Sequence, residues 1–194
     1  MSDMESSSYS IEGVIDQASS WLSTCTILNN DCSSWGRSNP TWLPTRLLDI
    51  SDATNSGIIR MFCPQAVESL EYAILSHRWE TDGQLGLSTV NFESFVDGIP
   101  LKDLSKTFQE TIMMCGKLQN NFIWINTLCI LQYSREYWLR KSSMMRRVYI
   151  HVKICIVASG AADGRRMPLS SRNPLLVKSL LRRTTKILFD RPRR

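Results

Sequence analysis

The sequence has no unbroken run of 18 apolar residues, so nothing in it reads as a membrane-spanning helix. Its opening, MSDMESSSYS, has neither a basic stretch nor an apolar core, and a secretory signal is therefore not expected. Without an export signal, the six cysteines (25, 32, 63, 115, 129 and 155) are expected to be reduced thiols in a cytoplasmic protein, not a disulfide scaffold. Neither G-x-x-x-x-G-K nor G-x-G-x-x-G occurs, which argues against a P-loop NTPase, a protein kinase and a Rossmann dehydrogenase. There are two histidines, His77 and His151, far apart in the chain, and no C-x-x-C pair, so no metal site is expected. No serine lies in a G-x-S-x-G setting, and a hydrolase nucleophile elbow is unsupported.

What is present is the material of one domain with tails: 194 residues, 43% hydrophobic and 21% charged. A chain of this length buries a core without disulfide or metal staples. The net charge of +5 is a property of one end. Residues 165–194 hold ten Lys and Arg against the single acid Asp190, and the rest holds 13 basic and 17 acidic residues. A basic tail attracts nucleic acid or anionic membrane. It carries one aromatic residue, Phe189, without the interleaved aromatics of a single-strand binding surface. A solvated C-terminus is the preferred reading, and nucleic acid is not expected as a partner.

Hydrophobic spacing predicts the elements. Ile11, Val14, Ile15, Ala18, Trp21 and Leu22 fit a helix over 11–25. A loop follows from Asn29 to Pro44. TRLLDI (Thr45–Ile50) and IIRMF (Ile58–Phe62) read as a hairpin joined by SDATNSG. YAILS (Tyr72–Ser76), NFIWIN (Asn121–Asn126) and KICIVA (Lys153–Ala158) are short apolar runs with polar ends, as buried parallel strands are. Leu104, Phe108, Ile112, Cys115 and Leu118 predict a helix between the first two runs, capped by Ser105 or Asp103. A second helix, 134–150, with Trp138, Met145, Val148 and Tyr149 on one side, lies between the last two. The expected fold is α/β: a parallel sheet with helices on both faces, preceded by a short helix and hairpin. Residues 1–20 are expected to be largely extension, 21–164 the domain with its lead-in, and 165–194 the tail.

Ligands in open α/β sheets bind beyond the carboxyl ends of the strands. Here those ends are Ser76-His77-Arg78-Trp79-Glu80, Asn126-Thr127-Leu128-Cys129, and Ser159-Gly160 with Asp163-Gly164. Parallel neighbours would gather a hydroxyl, an imidazole, a guanidinium, a carboxylate and an amide on one rim. Each has a plainer reading. His77 reads as a surface histidine at a strand end. Trp79 is a packing residue or lid before it is a stacking platform, and Glu80 with Asp82 forms a solvated turn. Cys129 lies in an apolar stretch and reads as a core thiol rather than a nucleophile.

YAILSHRWE (Tyr72–Glu80), LSKTFQETI (Leu104–Ile112), FIWINTLCILQ (Phe122–Gln132) and WLRKSSMMRRVYIHV (Trp138–Val152) resemble, in order and spacing, successive blocks of the fungal heterokaryon incompatibility domain. The family pattern runs roughly Y-x-x-L-S-x-x-W-G, L-P-K-T-F-x-x-A-I, L-W-I-D-x-L-C-I-x-Q and W-x-x-E-x-x-x-M-x-x-I-Y-x-x-A. A helix ending in W-L-x-x-C, a second cysteine and LPTRLLD (Leu43–Asp49) resemble its lead-in, and SRNPLL (Ser171–Leu176) a segment after it, so the likeness covers about residues 20–180. Departures stand at Asn29, Glu80, Ser105, Asn126, Lys141 and Val152, where the pattern has His, Gly, Pro, Asp, Glu and Ala. Two carboxylate positions are thus replaced, which implies a degenerate copy if the family's activity needs them. The end in a basic tail, where many members continue, reads as truncation or as a gene-model error.

The resemblance implies a role in non-self recognition between fungal individuals, with programmed cell death as output. It also implies distant kinship with TIR domains, which are flavodoxin-like. The implied partners are further copies of the chain or another incompatibility protein, and no cofactor is evident. Some TIR domains cleave NAD with a glutamate. On that alternative Glu80 is the catalytic carboxylate, Arg78 the phosphate partner, Ser76 and Asn126 orient the ribose, and Trp79 stacks on a base.

Overall fold

The computed structural model describes residues 11–28, 42–65, 70–77, 85–132, 141 and 143–158. Helix α1 spans Ile11–Leu28. The expected hairpin forms, with β1 at Leu47–Asp49 paired antiparallel to β2 at Ile58–Phe62 in the register Leu47↔Phe62 and Asp49↔Arg60. Its connection is more than a turn. Asp49 Oδ1 accepts from the Ser51 amide (2.9 Å) and hydroxyl (2.7 Å), and Ala53–Ser56 closes one helical turn, α2. Gly57 ends that turn in the left-handed region at φ 69°, a conformation glycine adopts without cost.

The three apolar runs become β3 (Ala73–Ser76), β5 (Phe122–Ile125) and β6 (Ile154–Val157). β3 pairs in parallel with both others, Leu75 lying opposite Ile125 and Ile156. The sequence reading stopped at this parallel trio. In the structure the hairpin joins the same sheet, because β1 also pairs antiparallel with β5, Leu48 opposite Ile123. A two-residue strand, β4 (Ile99–Pro100), then adds to β2, giving six strands in the order β4-β2-β1-β5-β3-β6. The sheet is therefore mixed. β1 lies between β2 and β5, and adjacent Leu47 and Leu48, which point to opposite faces, are both fully buried.

Helix α3 spans Phe92–Asp97, and a 3₁₀ turn at Leu101–Asp103 leads into α4, Lys106–Lys117. Of the two expected caps, Ser105 serves: its Oγ accepts from the Phe108 amide at 3.4 Å. The apolar stripe of α4 (Phe108, Ile112, Cys115) is buried as its spacing requires. Asn126–Cys129 forms the short helix α5 directly after β5, and Met145–Ile150 forms α6. Residues 134–140 and 142 of the expected 134–150 helix lie outside the described residues, as do 29–41 of the expected loop. On α6, Val148 is buried but Tyr149 is exposed, so the two do not share one side as the spacing suggested.

The chain steps from β3 to β5 on one side, then back across β3 to β6 on the other. Right-handed crossovers in opposite directions carry their helices to opposite faces. His77 meets α4 through Phe108, ring centroids 5.1 Å apart and edge-on. Tyr72, five residues earlier and so on the other face, donates its hydroxyl to the Val148 carbonyl of α6 at 2.8 Å. Helices thus cover both faces, and the strand order reverses at β3.

Gly98 tests the join between α3 and β4. It sits at φ 149°, and a Cβ there would lie 2.7 Å from Ile58 Cγ2 on β2. Gly98→Ala is expected to cost about 1–3 kcal/mol in urea denaturation, from backbone strain together with that overlap.

Candidate functional site

The register that pairs Leu75 with Ile125 places the next residues, Ser76 and Asn126, side by side at the carboxyl ends of β3 and β5. Val157 lies opposite Ser76 on its other side, and the Ser76 carbonyl accepts from the Ala158 amide at 2.9 Å. The structure therefore brings Ser76 and Asn126 to one rim, as the strand reading requires. Arg78, Trp79 and Glu80 lie outside the described residues, as do Ser159, Gly160, Asp163 and Gly164.

Asn126 leaves the strand straight into α5, since Ile125 is still extended (φ −124°, ψ 119°) while Asn126 opens the helix. That abrupt change is held by Gln132. Its side-chain amide donates to the Ile130 carbonyl at 2.6 Å and more weakly to those of Asn126 and Thr127, each at 3.4 Å. The segment before α3 closes the frame: the Leu87 amide donates to the Thr127 carbonyl at 2.9 Å, and the Gln132 amide to the Leu87 carbonyl at 3.0 Å. Asn91 stiffens this segment by accepting from the Ser88 amide (2.7 Å) and donating to the Gly86 carbonyl (2.9 Å). Gly86 also permits a close approach, because a Cβ there would come within 3.3 Å of Gln132 Cγ.

Within this frame the polar side chains go unanswered. Asn126 and Thr127 are only 6% and 7% exposed, yet Asn126 Oδ1 and Thr127 Oγ1 are buried without a hydrogen-bond partner among the described residues. His77 Nε2 is a third such atom, and Glu110 Oε2 on α4 a fourth. Leaving a buried polar atom unpaired costs about 1–3 kcal/mol. Three of them lie at the ends of two adjacent strands.

His77 was read from the sequence as a surface histidine. Its ring instead lies half-buried against Phe108. Burial lowers its pKa, opposed by a backbone interaction with Leu75, so the imidazole is neutral at pH 7. The unfolded chain therefore takes up the proton first as pH falls below 6.5. The stabilising effect of a neutral His77 is present above that value and is lost on acidification toward the lower folded pKa. Thermal midpoints are expected to drop between pH 7 and pH 5, and to drop less in His77→Gln.

Cys129 is the core thiol that its apolar setting suggested: fully buried surroundings push its pKa up to about 12, so it is no nucleophile at neutral pH. A small cleft of about 60 Å³ lies beside it, with Trp42, Arg46, Trp124, Met144 and Val148 among its lining. Lys141, at a position where the sequence pattern has an acid, also borders this cleft and donates to Thr45 Oγ1 at 2.5 Å. It is thus tied to the lead-in of β1. Among the described residues, no three His, Cys, Asp or Glu side chains are grouped to hold a metal ion, and no helix is long and apolar enough to cross a membrane.

Residues 72–187 match the family model described as heterokaryon incompatibility protein (HET). The chain belongs to the heterokaryon incompatibility family. Neither the curated proteins nor the solved structures gave a match. The family match opens at Tyr72, where the chain enters β3, and so takes in Ser76, His77, Asn126, Thr127 and Gln132. In this member of the heterokaryon incompatibility family, the sequence places Ser76 and Asn126 on the candidate rim and gives no role to Thr127 or Gln132. Thr127 follows Asn126 in an otherwise apolar helical turn. The signal for Gln132 was its polar amide closing the apolar block FIWINTLCILQ.

Proposed function

We propose that this chain is a signalling module of fungal non-self recognition. It assembles in the cytoplasm with copies of itself or with another incompatibility protein, and assembly triggers programmed cell death. Family membership over residues 72–187 is the observation that carries this reading. The described part of the rim, Ser76, His77, Asn126 and Thr127, supports it. A hydroxyl, an amide and a neutral imidazole suit recognition by hydrogen bonding, and Asn126 stands where the family pattern has an acid. The test is controlled expression in a fungal cell, scored for death. Wild type is expected to kill, and Glu80→Gln to kill equally. A wild-type chain that kills neither alone nor beside a full-length relative would end the reading.

The unpaired Asn126 Oδ1 and Thr127 Oγ1 favour a second reading, a TIR-like enzyme that hydrolyses NAD, because ribose hydroxyls would answer both atoms. Water would replace nicotinamide at the anomeric carbon, so that the C–N bond breaks as a C–O bond forms. Glu80 would stabilise the developing oxocarbenium charge, Arg78 would hold the phosphates, Ser76 and Asn126 would orient the ribose, and Trp79 would stack on a base. Incubation of the purified chain with NAD decides the matter. This reading requires nicotinamide release that Glu80→Gln abolishes, and equal release by both proteins removes it.

A further inference from the structure

We infer that α1 is a self-association helix, along which two copies of this chain pair antiparallel through Val14, Ala18, Trp21, Cys25 and Leu28. The inference deepens the signalling-module reading, on which it rests, by naming the surface that meets the second copy.

Two stripes run along α1. The inner one reaches the body of the protein: Ile15 is buried, Leu22 lines a groove with Lys117, Leu118 and Lys153, and Glu12 approaches Lys117 Nζ at 3.7 Å. The outer stripe repeats at intervals of four, three, four and three residues, the spacing at which one helix packs along another. It faces outward: Val14 is 39% exposed, Trp21 63% and Leu28 77%, with Cys25 exposed and Ala18 half-buried. A helix that only served the core would leave this stripe polar.

The stripe also specifies its occupant. Read in either direction, its side chains run medium, small, large, small, medium, with Trp21 at the midpoint. A two-fold interface uses one patch twice and must match its own reverse. Antiparallel pairing about Trp21 sets Val14 against Leu28 of the second copy and Ala18 beside its Cys25, and the small residues make room for two indoles. Charge selects the same direction. The helix carries two charged residues, Glu12 and Asp16, both in its first six positions, and none from Gln17 to Leu28. Parallel pairing would bring the two Asp16 carboxylates together, whereas antiparallel pairing separates them by most of the seam, which is about 21 Å long at 1.5 Å per residue. The basic segment 165–194, with ten Lys and Arg, finds no matching acidic face here.

Sedimentation of the full chain across a concentration series tests the inference. A monomer–dimer equilibrium is expected, shifted at least tenfold toward monomer in Trp21→Glu with the thermal midpoint unchanged, while Val90→Glu, at another exposed apolar position, leaves it in place. Under oxidising conditions Ala18→Cys is expected to give a disulfide to Cys25 of the second copy, located by peptide mass mapping. A Cys25–Cys25 link in wild type would show parallel pairing and overturn the arrangement. Dimerisation unaffected by Trp21→Glu would place self-association elsewhere, overturning the seam but not the module reading. A wild type that dimerises only after removal of residues 165–194 would make that segment the occupant, which also overturns the proposal. A strict monomer removes the seam, and the cell-death assay then judges the module reading separately.

Discussion

Ile125→Ala is expected to lower the free energy of unfolding by about 2–5 kcal/mol. Ile125 is fully buried on β5, and β5 lies inside the sheet, hydrogen-bonded to β1 on one side and β3 on the other. Its register partner Leu75 points to the same face as His77, the face covered by Phe108 of α4. Truncation would open a void between sheet and helix at a place where strands on both sides hold the backbone, so collapse around the void is poor. Urea denaturation followed by tryptophan emission measures the loss, with an unchanged m-value as the check that the unfolded state is the same. A loss below about 0.5 kcal/mol is what a surface position gives and would mean that β5 is misplaced.

Asn126→Asp, which restores the acid of the family pattern, is expected to cost about 3 kcal/mol at pH 8, the scale of an uncompensated buried charge. Position 126 is only 6% exposed, and its Oδ1 has no partner among the described residues. Burial would raise the new carboxyl above the ordinary aspartate value of about 3.9. Both states hold the proton well below that value, and at pH 4 only about half of the unfolded chains have ionised, so the variant lies within about 0.5 kcal/mol of that baseline. As pH rises, the unfolded chain ionises first, and the penalty accrues until the raised folded pKa is passed. Thermal melts at pH 4 and pH 8 separate this from a shape effect, which would be the same at both. Equal stability of variant and wild type at pH 8 would mean that a cation answers position 126.

The parallel trio was legible because buried strands advertise themselves: AILS, FIWI and ICIV are apolar at both alternations and give way to polar residues within two positions. The hairpin was legible in its two strands. Its connection was not, since Asp, Asn, Ser and Gly favour turns and one turn of helix alike. β4 was invisible for a different reason: two residues, one of them proline, carry no periodicity. That β1 would pair with β5 depends on a contact between distant segments, which no local pattern encodes. At the site, strand register delivered Ser76 and Asn126 to one place. The roles of Thr127 and Gln132 arise from the break at Ile125, where a strand turns into helix without a loop, and composition does not announce such a break. His77 was misread because a histidine after a strand is usually solvated, whereas here α4 supplies Phe108 as a wall.

The sheet's two margins are unequal. β4 ends in Pro100, which has no amide hydrogen to offer a further strand. β6 carries four apolar residues in a row and has no neighbour beyond it among the described residues. Among the described residues, growth by strand addition is thus blocked at one border and open at the other. A charge placed at Val157, on that border, is expected to discourage a further strand from pairing there.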